Sequence, residues 1–110
     1  MIIDNEALLK EYYNKKTKEL RDKVIVAYLP LVKLVSGNLA IYCSGILETE
    51  DLYQYGVFGL IDAIDKFDTT KDLKFGTYAT FRIRGEIVDN IRKLDIVPRS
   101  ITPTYRGRSL

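Results

Sequence analysis

Between positions 67 and 92 the chain interleaves rings and cations: Phe67, Lys71, Lys74, Phe75, Tyr78, Phe81, Arg82, Arg84 and Arg92. Flat aromatic faces accept unstacked bases, and cations set among them follow a phosphate backbone. Each stacked base is worth roughly 1–3 kcal/mol, so a few rings suffice to hold an opened strand. The rings are not equally placed for this. Phe67 and Phe75 adjoin apolar stripes, which favours core or pocket wall. Tyr78 and Phe81, three apart on a face shared with Arg82 and Arg84, are the better stacking candidates. Thr77 and Thr80 fall within the same candidate nucleic-acid surface.

Two further groupings could carry chemistry. Asp62, Asp65, Asp68 and Asp72 place carboxylates at i and i+3, a spacing that can hold a divalent metal. No glutamate or histidine completes such a site, and Lys66 and Lys71 intervene, so a solvated helix face is the better reading. A metal-dependent phosphohydrolase is the weakest of the functions considered. The chain has no histidine, which removes the commonest general base and metal ligand. No catalytic residue, metal or cofactor is expected, and the chain does not read as an enzyme. The other grouping is Asp51, Gln54, Tyr55, Val57 and Ile61, polar and apolar residues mixed on one helix face. An acid favourably placed at a helix N-terminus explains part of it. A mixed polar and apolar face of this kind is also consistent with helix-on-helix docking.

The elements that position these groups follow from periodicity. Val57, Leu60, Ile61 and Ile64 recur at i, i+3, i+4 and i+7, which predicts a helix over 51–67. A polar turn follows at 68–72, and a second helix spans 76–94. On that helix Ala79, Ile83, Ile87 and Leu94 share one side. Phe81, Arg84, Gly85, Val88 and Arg92 share the other, which has no reason to be buried. Arginines one or two turns apart on that face can reach phosphates on both sides of a groove.

Upstream, Asp4 is placed to cap a first helix with Ala7, Leu8 and Tyr12 as its stripe, and Thr17 to cap a second. Residues 24–42 are strongly apolar, and Pro30 predicts a kink or a restart there. Gly45 suits a helix end, and Thr49 the start of the next. Gly56 and Gly59 lie inside the 51–67 helix at ~1 kcal/mol each relative to alanine, a cost offset by close packing or an approaching partner. No period-2 pattern, internal repeat or low-complexity segment occurs. The class is all-α, a compact multi-helix bundle.

The run DLYQYGVFGLIDAIDKFD followed by KFGTYATFRIRG resembles region 2 of the sigma-70 family of bacterial sigma factors. Its continuation, RIRGEIVDNIRKLDIVPRS, resembles the flagellar and sporulation-type alternative branch, whose pattern is close to RIRGAxxDxLRxxDWVPRS. Ile96 stands where that branch has tryptophan. The resemblance covers 24–100, preceded by an N-terminal helical extension at 1–23. It fails over 101–110, where two prolines nearby and TPTYRGRSL read as a disordered or foreign tail.

The resemblance implies a protein that starts transcription by binding core RNA polymerase and opening the minus-ten promoter element. Asp51, Gln54, Tyr55, Val57 and Ile61 would dock on the clamp coiled coil of the largest polymerase subunit. The region from Phe67 through Lys71, Lys74, Phe75, Thr77, Tyr78, Thr80, Phe81, Arg82, Arg84, Val88 and Arg92 would capture the non-template strand and its flipped adenine. Principal members carry two tryptophans where this chain has Phe81 and Arg82, so that wedge does not transfer directly. Gly85 and Val88 occupy positions that read duplex bases in principal members, and neither has a hydrogen-bonding side chain. An anti-sigma factor is a further implied partner. Complete members have additional helical domains, so this chain would be a fragment with incomplete promoter selectivity. The alternative is a helix-turn-helix regulator whose 76–94 helix enters an intact major groove. Aromatics crowding the preceding turn suit splayed bases better.

Bulk properties agree. Seventeen basic against fifteen acidic residues leave only +2, but from position 74 onward eight cations face three acids. The single cysteine, Cys43, excludes an intrachain disulfide, fits a reducing cytoplasm, and reads as a buried structural thiol. No apolar run approaches the ~20 residues of a membrane span, and Asp4 and Glu6 spoil a signal peptide.

Overall fold

A computed structural model describes residues 5–43 and 47–94. Four helices follow in order: α1 Glu6–Lys15, α2 Lys18–Ala40, α3 Thr49–Lys66 and α4 Phe75–Lys93, with a 3-10 turn, Ile41–Cys43, extending α2. The described residues contain no strand. The all-α expectation holds. Asp4, Gly45 and everything from Asp95 onward, including Ile96 and the tail, lie outside the described residues.

Helix starts differ in detail from the sequence expectation. The cap of α1 is Asn5, whose Oδ1 accepts from the Leu8 N–H at 3.3 Å. Of the expected stripe only Tyr12 is buried; Ala7 is exposed, Leu8 is partly buried, and Leu9, outside that stripe, packs in the core instead. Thr17 caps α2 as expected, accepting from the Leu20 N–H at 3.2 Å. At α3 the cap is Glu48, not Thr49, and the Asp51 carboxylate accepts from the Glu48 N–H at 3.1 Å. The start moves back by one residue because Asp51, at the third helical position, satisfies a donor that the helix itself cannot.

α2 runs unbroken through Pro30, which is exposed. Among the described residues it is also the one helix long and apolar enough to cross a membrane, contrary to the count of apolar runs above. Its packing gives that composition another use. Val24, Tyr28, Val32 and Leu39 are fully buried in the core, where α2 meets α1, α3 and α4. Cys43 is buried as expected, and burial pushes its thiol up and keeps it protonated.

The tightest packing is α3 on α4, and the glycines make it possible. A Cβ at Gly56 would lie 2.8 Å from Val32 Cγ1 and 3.1 Å from Ile83 Cγ2. At Gly59 it would lie 2.7 Å from the Arg82 carbonyl oxygen and 2.8 Å from the Ile83 Cα. Close helix approach thus offsets the propensity cost of both. At Gly56 the neighbours are stiff, buried side chains, and at Gly59 they are backbone, which has still less room to give. Gly59→Ala is therefore expected to destabilise the chain by about 1–3 kcal/mol despite alanine's better helix propensity. Urea denaturation of the two chains measures it.

Candidate nucleic-acid interface

α4 is buried round a wider arc than expected. At 100° per residue, Ala79, Ile83, Ile87, Ile91 and Val88 fall in sequence over about 180°, and all five are fully buried. The supposed outward face is therefore corrected at two positions: Val88 is 0% exposed and Gly85 is buried. Val88 cannot touch DNA from there. Leu94, expected in the core, is exposed, and Ile91 takes its place. What remains open on α4 is the strip with Phe81, 69% exposed, beside the partly exposed Thr77, Arg84 and Arg92. Thr80 is partly exposed too, and its hydroxyl donates to the Gly76 carbonyl within the helix.

The rings around the start of α4 form a cluster of their own. Phe75, the first residue of the helix, is 1% exposed and meets Tyr28 edge-on at 4.9 Å. Phe67, half-buried, meets Phe75 edge-on at 5.3 Å and Tyr78 in a tilted pair at 5.6 Å. Phe75 is therefore support rather than a stacking surface. Phe67 is the wall it was expected to be, and Tyr78 offers only part of its ring. The loop that joins them is shaped by Asp68, whose carboxylate accepts from the Thr70 N–H and hydroxyl at 2.9 and 2.6 Å. Those bonds hold the Asp68 carboxyl below the usual carboxylate range. Lys71, Leu73 and Lys74 stand exposed on this loop. Between the loop and α1 lies an open groove of about 850 Å³, lined by Tyr13, Phe67, Lys71, Lys74 and Phe75 among others.

Arg82 is not an unoccupied cation. Its guanidinium Nε donates to Asp62 Oδ2 at 3.0 Å, and Lys66 pairs with the other oxygen at 3.0 Å. The aspartates likewise do more than face solvent. Asp62 ties α3 to α4, and Asp65 accepts two hydrogen bonds from Arg21 NH2 at 3.0 and 2.9 Å, tying α3 to α2. No metal-ligating cluster occurs among the described residues. Burial alone would raise the Asp62 carboxyl, but its bonds to Lys66 and Arg82 outweigh that and lower it. A carboxyl depressed in the folded state stabilises above its unfolded pKa, and that stabilisation is lost as pH falls through the folded value. Asp62→Asn should thus melt below the unaltered chain at neutral pH, with the difference narrowing below about pH 4. Melting curves across that range decide it.

The outward side of α3 is a second surface. Asp51 is partly exposed, Gln54 exposed, and Tyr55, Val57 and Ile61 partly buried. Tyr55 and Val57 lean on the core. In the middle of the strip, one turn beyond Gln54, Phe58 is 64% exposed. Sequence reasoning missed it. The signal was present: Leu52, Gly56, Gly59 and Ala63 mark the packed side, and Phe58 lies opposite.

The comparisons give the family. The family description "Sigma-70 region 2" matches residues 24–96. RNA polymerase sigma-D factor of Bacillus subtilis is 38% identical over 97 residues, covering 88% of this chain and 38% of that protein. RNA polymerase sigma factor FliA of Pseudomonas aeruginosa is 37% identical over 93 residues, 84% of this chain and 38% of its own. FliA of Salmonella typhimurium is 40% identical over 79 residues, 72% and 33% respectively. The chain thus spans less than two fifths of the length of these relatives. It belongs to the sigma-70 family of RNA polymerase sigma factors, as its region 2, on the alternative branch to which its motifs pointed.

Proposed function

We propose that this chain is the part of an alternative sigma factor that docks on core RNA polymerase and holds the opened minus-ten strand of a promoter. Docking uses the α3 strip of Asp51, Gln54, Phe58 and Ile61, with Tyr55 and Val57 beside it, against the clamp coiled coil of the largest subunit. Strand capture uses Phe67, Tyr78 and Phe81, flanked by Lys71, Lys74, Arg84 and Arg92. The chain itself catalyses nothing; it favours one form of the DNA by differential binding. Its place of work is the cytoplasm, with the polymerase.

One observation carries the reading. Phe58 and Phe81 are 64% and 69% exposed in the middle of well-packed helices, each within a segment assigned to a partner on sequence grounds. Neither ring serves the fold, and exposed aromatics of this kind are what interfaces and base stacks employ. Co-purification with bacterial core RNA polymerase tests the reading. The chain should be retained by core enzyme, and absence of retention would remove the sigma-factor role for it.

A further inference from the structure

The first helix has no part in the function above, yet it reaches the ring cluster. The Tyr13 hydroxyl donates to the Ile64 carbonyl at 2.7 Å, across 51 residues of chain. α3 ends at Lys66, so the Ile64 carbonyl belongs to the last turn, where carbonyls lack partners within the helix. Tyr13 therefore closes the open end of α3 from another element. The same ring lies against Phe67, 6.1 Å away between centroids and tilted by 41°. Two ion pairs, Arg21 with Asp65 and Arg82 with Asp62, also hold this end of α3. Of the three ties, only Tyr13 brings a ring to Phe67. Burial pushes the Tyr13 phenol above its ordinary range, with the charges of Tyr12 and Asp65 adding, so the hydroxyl stays a donor at neutral pH. Tyr13 and Phe67 line one groove whose charged residues are Lys10, Lys71 and Lys74 and the acids Glu6, Glu11 and Asp72.

We propose that Tyr13 is a positioning residue: bonded to Ile64 and packed on Phe67, it sets from α1 the orientation in which Phe67 meets an unstacked base of single-stranded DNA. This rests on the single-strand reading of the ring cluster. A ring without that support samples several orientations and must be ordered when the base arrives, which weakens binding. The N-terminal helix is then a working part of the site and not an extension to it.

The test titrates a short labelled oligonucleotide, single-stranded and as a duplex, against the 110-residue chain, free and with core RNA polymerase. The variants are Tyr13→Phe, Tyr13→Leu, Phe67→Ala and the double Tyr13→Leu with Phe67→Ala. Each Tyr13 variant is expected to lose about two- to tenfold in single-strand affinity, the leucine more than the phenylalanine, with duplex and polymerase affinity unchanged. The double variant should bind no more weakly than Phe67→Ala alone, because Tyr13 acts through that ring. Losses that multiply in the double variant, or that fall equally on duplex, would make Tyr13 merely structural and overturn the proposal. If Phe67→Ala weakens single-strand binding and the Tyr13 variants do not, only the positioning role fails. If Phe67→Ala has no effect, the ring cluster is not the single-strand site and both readings fall. Should Tyr13→Leu lose its helicity, Tyr13→Phe, which keeps the ring, carries the test.

Discussion

Phe58→Asp is expected to abolish retention of core RNA polymerase while leaving helix content and melting temperature unchanged. The ring is 64% exposed, so its removal takes nothing from the core, and surface changes of this kind stay within about 0.5 kcal/mol. At an interface the same ring is the natural anchor, and truncating an aromatic anchor costs about 2 kcal/mol or more. Aspartate adds a charge that docking would have to desolvate. Phe58→Ala should show the smaller part of this loss. Asp51 is a poorer probe, because its carboxylate also bonds the Glu48 N–H at the start of α3. Asp51→Ala would lose about 0.5–2 kcal/mol of helix capping along with any polymerase contact. Fluorescence anisotropy with labelled core enzyme measures each. Undiminished binding by Phe58→Asp would take docking away from the α3 strip.

Phe81→Ala should weaken single-stranded DNA binding by about 1–3 kcal/mol and hardly alter duplex binding. Phe81 is 69% exposed on α4, so it can meet a base without rearrangement. Tyr78→Ala should act in the same direction with an added fold cost, since Tyr78 is packed on Phe67. Arginine variants separate shape from charge. Arg84→Ala or Arg92→Ala should weaken single strand and duplex together, and flatten the salt dependence of each, because both forms carry phosphates. Arg82→Ala should cost stability as well, because its guanidinium bonds Asp62 and ties α4 to α3. Equal losses of both DNA forms in Phe81→Ala would make that ring a general contact and remove its part in strand capture.

The all-α class and the approximate limits of α3 and α4 were legible in the sequence because apolar periodicity reports them directly, whereas Pro30 left open whether α2 is one helix or two. Helix ends were less legible. The cap of α3 moved from Thr49 to Glu48 because Asp51 supplies a reciprocal bond that no single residue type announces. The split of α4 into an inner and an outer face failed at Val88 and Gly85. Two faces are too few for a helix whose apolar arc, with Ile91 included, runs half-way round. Arg82 looked like a phosphate contact because a sequence shows a cation and not its partner; Asp62 lies twenty positions away. Phe58 was overlooked for the opposite reason. A phenylalanine beside leucines and glycines reads as core until the glycines fix which side is packed. The contribution of Tyr13 was beyond reach, since a bond to Ile64 depends on how α1 folds back. Phe67 and Phe75 were both read as core or pocket wall and also as part of the DNA-capture set; Phe75, 1% exposed, is core and cannot serve as a contact, while Phe67 is half-buried.

The central claim is that the surface around Phe67, Tyr78 and Phe81 prefers an opened strand to an intact helix. Burial of Val88 and Gly85 already leaves α4 with a narrow strip to offer a major groove. The most direct measurement is a competition between a labelled single-stranded non-template segment and its own duplex for the complex of this chain with core RNA polymerase. Stacking on two or three rings should favour the single strand by at least tenfold, a preference that Phe81→Ala reduces. Tighter binding of the duplex, unaffected by Phe81→Ala, would contradict it and return the chain to the double-strand readers.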